Sequence, residues 1–146
     1  MPAVLRLATL TDRQFRIEPE EYSGLVQHLQ RLDELSRTLG VTVPSTFIDV
    51  TELEFREAAK LIEPESLQES EVDPLTGLAY GIEDMIWMPV SAGMISFEAL
   101  SGYLSRNQPA GVSEHDRHTL RSELASIEER LRPLEAQGAQ FHLAAR

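Results

Sequence analysis

The sequence predicts a single α+β domain spanning residues 1 to 146, with three to four helices packed on a small antiparallel sheet of short strands. Three observations carry that prediction. Apolar residues recur at helical spacing in long stretches, from 19 to 39 and from Ser113 onward. β-branched and aromatic residues gather in short runs bounded by turn formers, which suits strands. A chain of 146 residues fits one core, burying roughly 68 to 70% of the unfolded surface.

Taken in order, Ala3 to Leu10 is an apolar run ended by Thr11 and Asp12, and reads as a short strand. Pro19 at a first helical position, followed by Glu20 and Glu21, opens a helix from 19 to 39. Tyr22, Leu25, Val26, Leu29, Leu32 and Leu35 form its inward face, Asp33 and Glu34 belong to the outward one, and Gly40 ends it. Pro44 forces a loop or crossover. A strand near 46 to 50 then gives way to a helix from 52 to 62, with Thr51 as its cap.

Residues 63 to 78 are polar and punctuated by Pro64, Pro74 and Gly77, which predicts a mobile acidic loop. A strand or hairpin arm follows at 79 to 88. Ser91 is placed to cap a helix reaching Ser105, weakened by Gly93 and Gly102. Ser113 opens the last helix, where Leu120, Leu124, Ile127, Leu131 and Leu134 alternate at spacings of four and three. Pro133 should kink or end that helix, and residues 139 to 144 read as a closing strand.

Charge is unevenly placed. Residues 49 to 84 hold eleven acids against two bases, a net of minus nine within a chain of net charge −11. Such a field attracts a basic partner and repels nucleic acid and anionic membranes. The absence of cysteine excludes disulfides, thiol catalysis and Cys-ligated zinc, and fits a reducing cytoplasm. No run is apolar enough for a signal segment or a membrane span, so a cytoplasmic protein is expected.

No motif specifies chemistry. His115 and His118 lie three apart with Glu114 and Asp116 beside them, and His28 or His142 could supply a third metal ligand. A solvated first helical turn is the preferred reading, and no metal or other cofactor is assigned. Glu83 and Asp84 beside Trp87 resemble a carboxylate pair, yet adjacent residues on a strand face opposite ways. No Gly-x-Ser-x-Gly elbow or phosphate-cradling glycine loop occurs.

The acidic block is interleaved with aromatic and methionine side chains, the composition of interface hot spots. The sequence therefore points to a non-enzymatic protein-binding protein, in its concrete form a small acidic inhibitor of the immunity-protein kind, bacterial by that reading, covering a basic toxin or nuclease. Glu52, Glu54, Glu57, Asp73, Glu83 and Asp84 would steer the partner, and Tyr80 and Trp87 would anchor it. One alternative is a small metal-dependent or carboxylate enzyme. Another is an adaptor subunit, a homodimer through Leu120, Leu124, Ile127 and Leu131.

Overall fold

The computed structural model describes residues 4–60 and 81–146. Among them, five α-helices pack on a sheet of five short strands, the α+β arrangement that the sequence predicts. The strands are β1 (Leu5–Thr11), β2 (Gln14–Ile17), β3 (Ile48–Asp49), β4 (Met88–Pro89) and β5 (Gln140–Ala145). The α-helices are α1 (Gly24–Gln27), α2 (Leu29–Leu39), α3 (Thr51–Lys60), α4 (Val90–Arg106) and α5 (Glu114–Glu135). The expected loop at 63–78 lies outside the described residues.

Strand β5 is the hub of the sheet. Along one edge it pairs antiparallel with β1, from Leu5 opposite Ala145 to Leu10 opposite Gln140. Its other edge is shared: β4 pairs antiparallel at Phe141 and Gln140, and β3 pairs parallel at Leu143 and Ala144. β2 closes the far side as the hairpin partner of β1. The period of two sends Leu5, Leu7, Phe141, Leu143 and Ala145 into the main core. There they meet Met94, Phe97, Leu100 and Leu104 of α4 and the inward row of α5. Phe47, Phe97 and Phe141 pack as a triad, with ring centroids 5.1 to 5.9 Å apart. Each such side chain contributes about 1.5 to 3 kcal/mol on burial.

The hairpin is an addition to the expected elements. Asp12 and Arg13 both take positive φ, 49° and 64°, the signature of the two-residue turn whose twist matches the flanking strands. Neither residue is glycine, so the usual sequence signal is missing.

The helix expected at 19 to 39 begins later and is broken. Residues beyond β2 stay beside β1: the Glu18 N–H donates to the Leu7 carbonyl, and Tyr22 exchanges backbone hydrogen bonds with Leu5. The open edge of β1 needs those partners, and Pro19, lacking an N–H, fits a sheet margin. Helix starts only at Gly24, and it is interrupted at His28, whose φ of −113° leaves the helical range. Asp33 is also buried rather than outward, where it accepts the Ser45 N–H at 3.1 Å. Gly40 ends α2 with φ of 75°, as its position predicts.

Two expected caps are replaced. The Thr51 hydroxyl turns away from α3 toward Asp49, and α4 starts at Val90 after Pro89, with no side-chain cap from Ser91. Ser113 does cap α5, accepting the Asp116 N–H at 3.0 Å. α5 continues through Pro133 to Glu135. Gly93 answers a close approach: a Cβ there would lie 2.4 Å from Cζ of Phe141.

Of the strand expected at 79 to 88, residues 79 and 80 lie outside the described residues, and from 81 onward strand forms only at Met88–Pro89, with a 3-10 turn at Ile82–Asp84 ahead of it. Side chains explain the turn. Asp84 accepts the Gly81 N–H at 2.9 Å, and Trp87 Nε1 donates to the Ile82 carbonyl at 2.8 Å, so local bonds displace a ladder.

Candidate partner-binding surface

The second face of the sheet is organised by one buried carboxylate. Asp49, at the end of β3, is 4% exposed. It accepts the Thr51 hydroxyl at 2.8 Å, the Thr51 N–H at 3.3 Å and the Ile86 N–H at 2.9 Å. The Thr51 hydroxyl also lies 3.1 Å from the Asp84 carbonyl oxygen. The first residue of α3 and the last residue of the 82–84 turn are thus joined, although 33 positions apart. An aspartate two residues before a helical threonine forms this local turn readily, and the carboxylate suits the positive end of α3.

Acidic side chains cluster around that joint. Glu54, Glu57 and Glu83 are exposed and Glu52 is half-buried. Asp84 is exposed too, although its carboxylate is engaged by the Gly81 N–H. Val50, between Asp49 and Thr51 in the chain, and Ile86, whose N–H reaches Asp49, expose 37% and 48% of their surface. Asp73 and Tyr80 lie outside the described residues.

Trp87 is half-buried and inward-leaning. Its ring centre is 4.4 Å from that of His142 and meets Phe15 edge-on at 6.1 Å. Beneath it His142 is 1% exposed, and burial pushes its pKa down to about 4 against the opposing pull of the Asp49 charge and the Ile86 backbone. The imidazole is therefore neutral at pH 7, and its Nδ1 has no hydrogen-bond partner among the described residues.

A second polar cluster joins the 18–22 segment to α5. Glu20 accepts from the Ser126 hydroxyl at 2.5 Å, from Tyr22 at 3.2 Å and from Arg130, which also binds Glu18 at 3.0 Å. The Ser126 hydrogen bond, with Arg130 beside it, holds the Glu20 carboxyl below its usual range, while burial pushes the Tyr22 hydroxyl up. Glu123 on the same helix accepts the Gly24 and Leu25 N–H groups at 3.0 Å each.

Sequence reasoning singled out the acids and Trp87 as candidates, but not the buried roles of Asp49 and His142 or these two clusters. The Asp49-Val50-Thr51 spacing was a readable turn signal. Apart from Tyr22, the partners of Glu20 and Glu123 lie about a hundred residues away, beyond any local pattern. His115 and His118 are exposed on the first turns of α5, and His28 pairs instead with Asp116 at 2.9 Å. Among the described residues no three His, Asp or Glu side chains converge to hold a metal. Leu120, Leu124, Ile127 and Leu131 are fully buried against α4 and α1, leaving none of the four exposed for a second copy.

No helix among the described residues is long and apolar enough to cross a membrane. Comparison with known protein families, curated proteins and solved structures finds no match, so the chain stands on its own geometry.

Proposed function

We propose that this chain is a non-enzymatic, cytoplasmic binding protein that occupies a basic protein partner through the acidic surface around α3 and the 82–84 turn. An inhibitor of the immunity-protein kind is the concrete form. The observation that supports it is the Asp49 joint, which sets two acid-bearing stretches, distant in sequence, side by side. The net of minus nine over residues 49 to 84 would concentrate a cationic partner there. Fields of that kind raise association rates by about 10 to 10³ and weaken with salt. Desolvated apolar contacts would set the residence time.

Affinity capture on the tagged protein from its own source cells, washed at low and high salt, identifies the partner. One basic protein retained at low salt and reduced at high salt is the expected result. Reversing Glu54, Asp73 and Glu83 together to Lys should then slow association with that protein at least tenfold, by the steering range above, and flatten its salt dependence. Association unchanged by the triple reversal would overturn the steering reading.

A further inference from the structure

The outward arc of α3 follows from its pitch. At about 100° per residue, Glu57, Glu54, Ala58 and Phe55 succeed one another around the helix, and all four are exposed. Leu53 turns inward and packs against the core. Glu52, three residues before Phe55 and half-buried, comes next around the circumference.

Phe55 stands apart from the other rings. It exposes 42% of its surface, whereas every other described Phe, Tyr and Trp is buried or half-buried. Aromatic side chains of this kind are enriched at interfaces. Trp87, the anchor that the sequence suggests, is engaged by His142 and Phe15 instead.

The surface beside that ring is open. Helical side chains lean toward the N-terminus, so the residue at 58 would cover the ground between Glu54 and Phe55. It is alanine, whose methyl leaves a notch there. One wall is the Phe55 ring. The other is Glu54, whose carboxylate makes no ion pair or hydrogen bond to any described residue.

An aromatic face beside a carboxylate takes a cation. An acidic side chain would be repelled by Glu54, and an apolar one would shield that carboxylate from water without giving it a partner. Between the two cationic side chains the guanidinium fits better: it is planar, more weakly hydrated, stacks on rings, and keeps donors at its edge for the carboxylate. The net of minus nine over residues 49 to 84 draws such groups to this face.

We propose that the notch over Ala58 receives one arginine side chain of the basic partner, its guanidinium stacked on Phe55 and paired with Glu54. The assignment rests on the binding function proposed above and adds the residue type that the surface selects.

The test is an NMR titration of the full chain with acetyl-Ala-Arg-Ala-amide. Controls are the lysine peptide and the citrulline peptide, which keeps the shape of arginine without its charge. The arginine peptide should give saturable shifts at Glu54, Phe55 and Ala58 and bind more tightly than either control. Ala58→Gln keeps every charge and a good helix former, fills the notch, and should erase the preference for arginine over lysine. Phe55→Leu should weaken the arginine peptide about two- to fivefold, the range for an exposed cation–π contact. The proposal is overturned if the arginine peptide gives no saturable shift on α3, if lysine or citrulline binds as well, or if Ala58→Gln keeps the native preference. The peptides need no partner protein, so any of those results strikes the notch alone. Affinity capture that returns no basic protein while the arginine peptide still binds would strike the partner reading and leave the arginine site standing.

Discussion

Nε2 of His142 lies 3.9 Å from Oδ2 of Asp49, yet burial under Trp87 keeps the imidazole neutral down to about pH 4. In the unfolded chain the same histidine takes up its proton near 6.5. Between those values the unfolded state binds a proton that the folded state refuses, so stability must fall as pH drops from about 6.5 to about 4. The window is worth about 3 kcal/mol when complete. Urea midpoints measured at both ends should show a smaller acid loss in His142→Leu than in the native chain. Equal losses would mean that His142 is not the group responsible.

Gly93 and Phe141 fix how closely α4 approaches the sheet. Gly93→Ala would normally strengthen a helix by up to about 1 kcal/mol. Here the new methyl meets a fully buried ring at 2.4 Å, and overpacking should make the substitution destabilising by about 1 to 3 kcal/mol. Adding Phe141→Leu should recover part of that loss in a double-mutant cycle. Strict additivity of the two changes would refute the steric account.

Glu123 acts as a cap supplied from another helix. Removing it in Glu123→Ala leaves the Gly24 and Leu25 N–H groups without their acceptors, at a cost of about 1 to 2 kcal/mol. Amide exchange at those two positions should accelerate while exchange in α4 keeps pace with global stability alone. Uniform acceleration across the chain would show that the cap has no local role.

Arg13 occupies a left-handed conformation that suits glycine. Arg13→Gly creates Asp-Gly, the preferred pair for this hairpin turn. Relief of the side-chain clash exceeds the extra entropy of the unfolded chain, and a gain of about 0.5 to 1 kcal/mol is expected. A lower melting temperature for the variant would contradict it.

The fold class and the ends of α2 and α5 were legible because Gly40 and Ser113 act through their immediate neighbours. The α5 seam was legible for the same reason, its period being a property of consecutive turns. What sequence could not show were outcomes decided at a distance. Pro19, Glu20 and Tyr22 form a plausible helix start on their own, and the vacant edge of β1 draws them into extended pairing. Trp87 looked like an anchor in an acidic run, and its depth depends on His142, 55 positions later. The acids of the candidate surface were visible as composition. Their gathering was not, because it hangs on Asp49 reaching both Thr51 and Ile86.

The placement of β5 bears on how the protein is made. Every other described element precedes it, yet β1, β3 and β4 all pair with it. While the chain is being synthesised, the hairpin and the two short strands leave the ribosome with no sheet to join. Phe47 and Phe97 wait with them, lacking the third ring of their triad. The β1, β3 and β4 pairings with β5 cannot form before Gln140 to Ala145 has emerged. Until that moment the nascent chain presents an unpaired strand edge and an aromatic surface, which is the state a chaperone would meet.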